Sequence, residues 1–305
     1  MPNFGYHFAR FEGRLVRRIY RALSPQIIRR PIAPIASVPF EVFAYSGHAN
    51  LPEQVASIRS FLKHCGRPAR FAVVSDGTYS PADIAMLNRL DSCVAVVDFS
   101  RSGALKSADQ GNVGTPESAA QGVSAMESAA PWSRHLENYL STHPTGRQLA
   151  LIMSLPRNGP ALYVDSDVLF FPQAGDLATL ANARDISAFY LPDCQFSGDP
   201  RLLRLAGERE QPVNTGVILL LKKLDWSLGI QRFTQLNGAP DFFTNQTMTH
   251  LVMHANGAAP LDPTRYVLQL DDQTVYPDRY ASEALALRHY VNPVRHKFWT
   301  TLWRR

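Results

Sequence analysis

Apolar residues recur along this chain with two alternating periods. "FEVFAYSG" (40–47), "RFAVVSDG" (70–77) and "CVAVVDFS" (93–100) are short apolar, β-branched runs closed by Ser, Asp or Gly, and each predicts a buried strand. Between the first two, "NLPEQVASIRSFLKHCG" (50–66) has helical spacing, with Leu51, Val55, Ile58 and Leu62 on one face. Asn50 followed by Glu53 predicts a capping box, and Gly66 suits the C-terminal stop. "SPADIAMLNRL" (80–90) reads as a second helix, capped by Ser80 with Pro81 in its first turn. Strands alternating with helices imply right-handed crossovers and a parallel sheet. Further on, "PWSRHLENYLS" and "TGRQLALIMSL" read as helices, and "ISAFYLPD", "NTGVILLL" and "RYVLQLDD" as strands, with helical stretches near 225–236 and 242–254. The pattern predicts an α/β fold, regular in its first half and mixed in its second, with 39–305 as one domain.

Two stretches break this rhythm. Wound as a helix, the tail sets Arg10, Arg14, Arg17, Arg18 and Arg21 on one arc and Phe8, Phe11, Leu15, Ile19 and Leu23 on the opposite one. A basic amphipathic helix over residues 6–24 fits an anionic membrane surface. The alternatives, ranked behind it, are packing on the protein's own body or an oligomer contact, and disorder. "RRPIAPIASVP", with three prolines, reads as an extended linker completing the segment 1–38. The second stretch, 101–130, is rich in Ser, Ala, Gly and Gln and reads as a low-complexity loop.

The chain has 305 residues, 45% hydrophobic and 19% charged, which suits a globular protein with a substantial core. Its apolar runs fall far short of the roughly 20 residues that span a bilayer, and no early stretch has the form of a signal peptide. Three cysteines, Cys65, Cys93 and Cys194, make neither a metal spacing nor a disulfide framework. They read as buried thiols in a reducing, cytoplasmic compartment, the tail then meeting the inner face of the membrane. The net charge of +5 is uneven: residues 1–38 hold seven arginines and one glutamate, leaving 24 basic and 25 acidic residues for the remainder. A body without a basic excess excludes a nucleic-acid-binding surface.

One apolar run carries charge. "ALYVDSDVLFF" (161–171) places Asp165 and Asp167 inside what otherwise reads as a buried strand. Buried carboxylates are costly unless paired or bound to a cation. In a parallel sheet, ligands gather beyond the carboxyl ends of the strands. Ser46, Asp76 and Asp98 end the earlier strands, and Asp165 and Asp167 end this one. Two carboxylates at such an edge suit a hard, oxygen-seeking cation, Mg²⁺ or Mn²⁺, which leaves positions open for phosphate oxygens.

Four stretches in order, "ALYVDSDVLFF", "VNTGVILLLKK", "FFTNQTMTHLV" and "HYVNPVRHKFW", make the chain resemble nucleotide-diphosphosugar transferases of the GT-A fold, in particular glycosyltransferase family 8, over about residues 40–300. The resemblance implies a Rossmann-like GT-A domain behind the basic tail. It implies that Asp165, Asp167 and the late His289 hold the metal, with Ser166 between the aspartates at the donor. Imidazole among the ligands favours Mn²⁺ over Mg²⁺. Lys297 matches the family's diphosphate contact, although Phe298 stands where the family has proline and a glycine is missing before it. Asn214, Thr215 and Gly216 match a segment that meets the donor sugar, the glycine giving close backbone approach. Gln246 matches the polar group near the anomeric carbon, preceded by Asn245 where the family has an acid. Asp193 is suited to donor-sugar hydroxyls and Arg147 to phosphate; Ser46 and Asp76 complete the expected donor site.

The activity so implied is metal-dependent transfer of a sugar from a nucleotide diphosphate, usually UDP, to an acceptor hydroxyl on a glycan, lipid or protein, with retained configuration. A haloacid-dehalogenase-like phosphatase would use Asp165 as nucleophile and "QLDDQ" (269–273) as its late acidic pair, but that family has its nucleophile on the first strand, and here three strands precede it. A sugar nucleotidylyltransferase needs a basic glycine-rich loop after its first strand, and "AYSGHANLPEQ" has no Lys or Arg. A GT-A domain that binds without turnover is the third alternative, suggested by Phe298 and Asn245.

Overall fold

The computed structural model describes residues 4–33, 36–101 and 133–304; nearly all of the low-complexity stretch lies outside them. The N-terminal half follows the apolar pattern closely. Strands β1 (Glu41–Ser46), β2 (Phe71–Ser75) and β3 (Val94–Asp98) alternate with helices α2 (Leu51–His64) and α3 (Pro81–Asn88), behind α1 (Phe4–Ile27). Helices α4 (Arg134–Thr142) and α5 (Pro144–Met153) lead to β4 (Ala161–Val164). Then come β5 (Val168–Phe170), α6 (Asp176–Leu180), β6 (Ala188–Pro192), β7 (Val213–Leu220), α7 (Ser227–Thr234), α8 (Thr244–Ala255), β8 (Ala259–Pro260), β9 (Tyr266–Val267), β10 (Leu287–His289) and α9 (Arg295–Trp303).

The main sheet has seven strands in the order β3-β2-β1-β4-β7-β6-β8. β1 pairs in parallel with both β2 and β4, and β2 with β3. β7 runs antiparallel to β4 and to β6, which makes the second half mixed. Alternate side chains serve opposite faces: Val42 and Ala44 join the apolar layer with Ile58 and Phe61, while Phe43 joins Ala72, Leu149 and Ile152 on the other side. Helix α3 has the expected Ser80 cap and completes it as a capping box, Ser80 and Asp83 each bonding the other's backbone. Helix α2 does not. Asn50 closes a preceding 3₁₀ turn without a side-chain cap, and the Glu53 carboxylate is taken instead by Arg17, its Nε at 2.5 Å.

The motif run 161–171 is not one strand. β4 stops at Val164, and β5 leaves the main sheet for a three-stranded one ordered β5-β10-β9. Asp165, Ser166 and Asp167 form the turn between the two sheets. Antiparallel pairing sets His289 of β10 opposite Val168, and Tyr290 N–H donates to the Asp167 carbonyl at 2.9 Å. A residue more than a hundred positions downstream is thereby fixed beside the aspartates. "RYVLQLDD" contributes only the two residues of β9 to a strand.

The tail helix forms and packs on α9 and α2. Tyr20 meets Trp299 with ring centroids 5.1 Å apart. The face it buries is Ala9, Gly13, Val16 and Ser24 rather than the phenylalanine arc. Of the free cysteines only Cys65 is buried; Cys93 is half-buried and Cys194 exposed, which corrects the expectation of three buried thiols. Among the described residues no helix is long and apolar enough to cross a membrane.

Candidate active site

Asp165 begins where the main sheet lets go of the chain. Its N–H still donates to the Gly216 carbonyl on β7 at 2.8 Å, and its Oδ1 accepts from Tyr163 OH at 2.8 Å and Gln148 Nε2 at 3.0 Å. Two residues on, Asp167 is buried, with Oδ1 at 3.0 Å from His289 Nε2 and Oδ2 accepting from Arg295 Nη2 at 2.5 Å. His289 Nε2 is also 3.7 Å from Asp165 Oδ2. One donor atom from each of Asp165, Asp167 and His289 lies within 4.8 Å of the others.

The imidazole's orientation is fixed from behind. Asn214 Oδ1 accepts Gly216 N–H at 2.8 Å, and its Nδ2 donates to Asp193 Oδ2 at 3.2 Å, so the amide cannot be turned over. His289 Nδ1, 3.0 Å from that Oδ1, is therefore the protonated nitrogen. In the neutral ring Nε2 turns its lone pair on two carboxylates. Three acceptors converging on one point call for a proton or a metal ion between them, and the carboxylate–carboxylate–imidazole set suits Mn²⁺ or Mg²⁺. With no cation bound, the proton fills that place: burial opposes charge on His289, but Asp167 and Asp165 outweigh it and push the imidazole up. Burial pushes the Asp165 carboxyl well up, even against that imidazolium. Burial opposes ionisation at Asp167 too, but the imidazolium and Arg295 outweigh it and hold that carboxyl low. A metal ion would displace the proton from Nε2.

These groups open into a cleft of about 330 Å³ that Asp193, Asn214, Thr215 and Gln246 also line. Asp193 Oδ2 accepts from Gln246 Nε2 at 3.0 Å as well as from Asn214. Asn245 donates to Gln148 Oε1 at 2.9 Å and so reaches Asp165 through one side chain. Phe242 and Phe243 stand at the mouth. A roomier groove of about 710 Å³ beside α1 has no acidic residue in its lining and offers no comparable chemistry.

The structure thus brings together Asp165, Asp167, His289, Asp193, Asn214, Thr215 and Gln246. It sets the other expected residues elsewhere. Lys297 is the clearest correction: it is fully buried, with Nζ 2.7 Å from Asp272, because α9 turns it into the core. The cation on the cleft is Arg295, two residues earlier, at the first position of that helix. Gly216 faces the imidazole, not the cleft: a Cβ there would stand 2.1 Å from His289 Cε1. Ser166 is buried in the turn and does not line the cleft. Ser46 is buried under Gln54 and Tyr79. Asp76 turns its carboxylate to Thr78, while its carbonyl accepts from Arg147, which also bonds Ser141 O and stands over the Phe99 ring. These three form a second cluster along the ends of β1–β3, outside the cleft. Asp272, half of the supposed phosphatase pair, is bound to Arg288 and Lys297.

Sequence reasoning missed Arg295 and Gln148. Spacing held the signal for Arg295, six positions after His289, but lysine identity drew the assignment two residues too far. Gln148 adjoins Arg147 on α5 and had no signal of its own.

No protein-family model and no curated protein matches the chain by sequence. Solved structures do match it by shape. A galactosyltransferase, LgtC, in complex with donor and acceptor sugar analogues superposes with a TM-score of 0.53 at 13% identity, covering 87% of this chain and 96% of that one. Mouse xyloside xylosyltransferase 1 gives 0.51 at 14%, covering 84% and 98%. WbbM, a bifunctional glycosyltransferase, gives 0.51 at 12%, covering 90% of this chain and 50% of its own. At these identities the likeness establishes the fold, which is the GT-A fold.

Proposed function

We propose that this chain is a metal-dependent glycosyltransferase that moves a sugar from a nucleoside diphosphate, UDP by preference, to an acceptor hydroxyl with retained configuration. The observation that carries the reading is the convergence of Asp165, Asp167 and a backward-anchored His289 on one cleft, on a GT-A fold. When bound there, Mn²⁺ or Mg²⁺ supplies charge neutralisation for a departing diphosphate.

The chain's own residues do the positioning. Arg295 adds a fixed positive charge beside the metal ligands, suited to a phosphate oxygen. Asp193 and Gln246, bonded to each other, present a carboxylate and an amide to donor-sugar hydroxyls and to the anomeric carbon. Asn214 keeps the His289 proton on Nδ1 and so keeps Nε2 free for the metal. Of the carboxylates that line the cleft, Asp165 and Asp167 belong to the metal site, which leaves Asp193 without the second carboxylate that a glycosidase-type double displacement uses, and the reading is a front-side displacement. The bond from the anomeric carbon to the diphosphate oxygen breaks, and the acceptor oxygen attacks from the same face. The acceptor's proton passes to the released phosphate. Catalysis of this kind rests on orientation and charge stabilisation.

The test is nucleoside diphosphate release from a panel of nucleotide sugars with Mn²⁺. The reading predicts release from one donor, stopped by a chelator and absent in Asp167→Asn. Turnover of a phosphomonoester with no release from any nucleotide sugar would overturn it.

A further inference from the structure

Helix α1 has three faces, and the protein's body buries one. Ala9, Gly13, Val16 and Ser24 form that face. Gly13 is required there, since a Cβ would stand 2.5 Å from the His296 carbonyl oxygen. The next arc is arginine. Arg17 is bound to Glu53, and Arg21 lies 2.8 Å from His48 Nε2. Arg10 and Arg14 are exposed and reach only as far as Tyr6 OH and the Arg10 carbonyl of their own helix in the bonds they make.

The third face carries Phe4, Phe8, Phe11, Leu15 and Leu23, exposed by 79, 56, 59, 46 and 45%. They are half of the exposed large hydrophobic side chains among the described residues, gathered on one stripe about 29 Å long. Phe8 has an edge contact with Tyr276, and its ring still lies mostly in solvent. A contiguous apolar stripe on a surface marks an interaction site.

We propose that α1 seats the protein on an anionic lipid surface, lying in the plane of the interface with the phenylalanine face in the acyl boundary and the arginines against the headgroups. The charge is complementary: residues 1–38 carry seven arginines against one glutamate. A second copy is the poorer occupant, because two such helices meeting by their phenylalanine faces bring like-charged arginine arcs together. The stripe is also convex, with no groove to receive a partner's side chains. Arg10, Arg14 and Arg17 line a groove whose inner end shares Asn292, Pro293 and Arg295 with the cleft. The seated helix therefore sets the cleft's rim about one helix diameter, ~10 Å, from the lipid.

Co-sedimentation of the full chain with phosphatidylcholine vesicles, with and without phosphatidylglycerol, tests this. Binding is expected to the anionic vesicles and to weaken with salt. Phe8→Ser/Phe11→Ser/Leu15→Ser is expected to lose it. Arg10→Gln/Arg14→Gln/Arg18→Gln is expected to weaken it roughly a hundredfold, at ~1 kcal/mol per arginine. The arginine set leaves Arg17 and its ion pair intact, so it decides the matter if the serine set lowers Tm. The proposal is overturned if wild type binds neither vesicle or if both variant sets bind as wild type does. It is also overturned if the stripe instead forms a dimer that the serine set dissolves, without vesicle binding.

Discussion

Strand β10 feeds two buried charge clusters from adjacent residues, and they are finished differently. Arg288 is fully buried between the rings of Tyr280 and Tyr290 and is bound to Asp272 and Asp278, with Lys297 on Asp272 as well. Two cations meet two carboxylates, and the cluster closes on itself. His289, its neighbour, meets Asp165 and Asp167, with Arg295 as the one permanent cation paired there among the described residues. With a neutral imidazole that cluster is one positive charge short, and it opens into the cleft. Charge that is balanced in the core holds the strand; charge left unbalanced at a cleft is available for a ligand.

Substitutions should separate the two clusters. The largest effect is expected from Asp167→Ala, which removes a ligand from the open cluster and should abolish metal-dependent nucleoside diphosphate release, read in an initial-rate assay. Asp272→Ala should instead cost about 3–5 kcal/mol of stability, measured by denaturant unfolding, because it leaves buried cations without their partner. The cation positions give the sharpest contrast. Arg295→Ala removes a charge-assisted contact and should raise the donor KM about 10–100-fold with little change in Tm. Lys297→Met should lower Tm and leave the donor KM near wild type in the folded protein. Equal KM effects from both would return Lys297 to the site. Asn214→Ala should weaken metal affinity about 10–100-fold by releasing the imidazole, measured by calorimetric Mn²⁺ titration.

The smallest effect is on pH dependence. Burial pushes the Asp272 carboxyl up, but Arg288 and Lys297 outweigh it and hold it below the ordinary range. A group lowered in the folded state stabilises above its unfolded pKa, about 4, and that stability is lost as pH falls below it. Asp272→Asn should therefore flatten the acid limb of the stability curve.

The sequence carried the first half of the fold because β1–β3 and their helices repeat a local apolar period. It carried Asp165 and Asp167 because two carboxylates in an apolar run conflict with burial unless something binds them. It could not show that the run divides between two sheets, since β4 and β5 are equally apolar and the break is set by pairing with β7 and β10. Lys297 and Arg295 exchanged roles for a related reason. Both are basic, both lie on α9, and only the rotation of that helix decides which faces the core. On α1 the helical period was legible and the buried face was not. The body took the small residues, whose backbone it can approach closely, and left the phenylalanines outside.

Thermal unfolding of the wild-type chain and Asp167→Asn, each with a nucleotide sugar, with Mn²⁺, and with both, tests the central claim most directly. A donor whose binding needs the metal, at about 100 times its Kd, adds about 2.7 kcal/mol to the folded state. The account predicts that donor adds this shift, beyond any that Mn²⁺ gives alone, in the wild type only when the metal is present, and that the added shift is lost in the variant. A shift that is the same with and without metal, or that survives in Asp167→Asn, would contradict it.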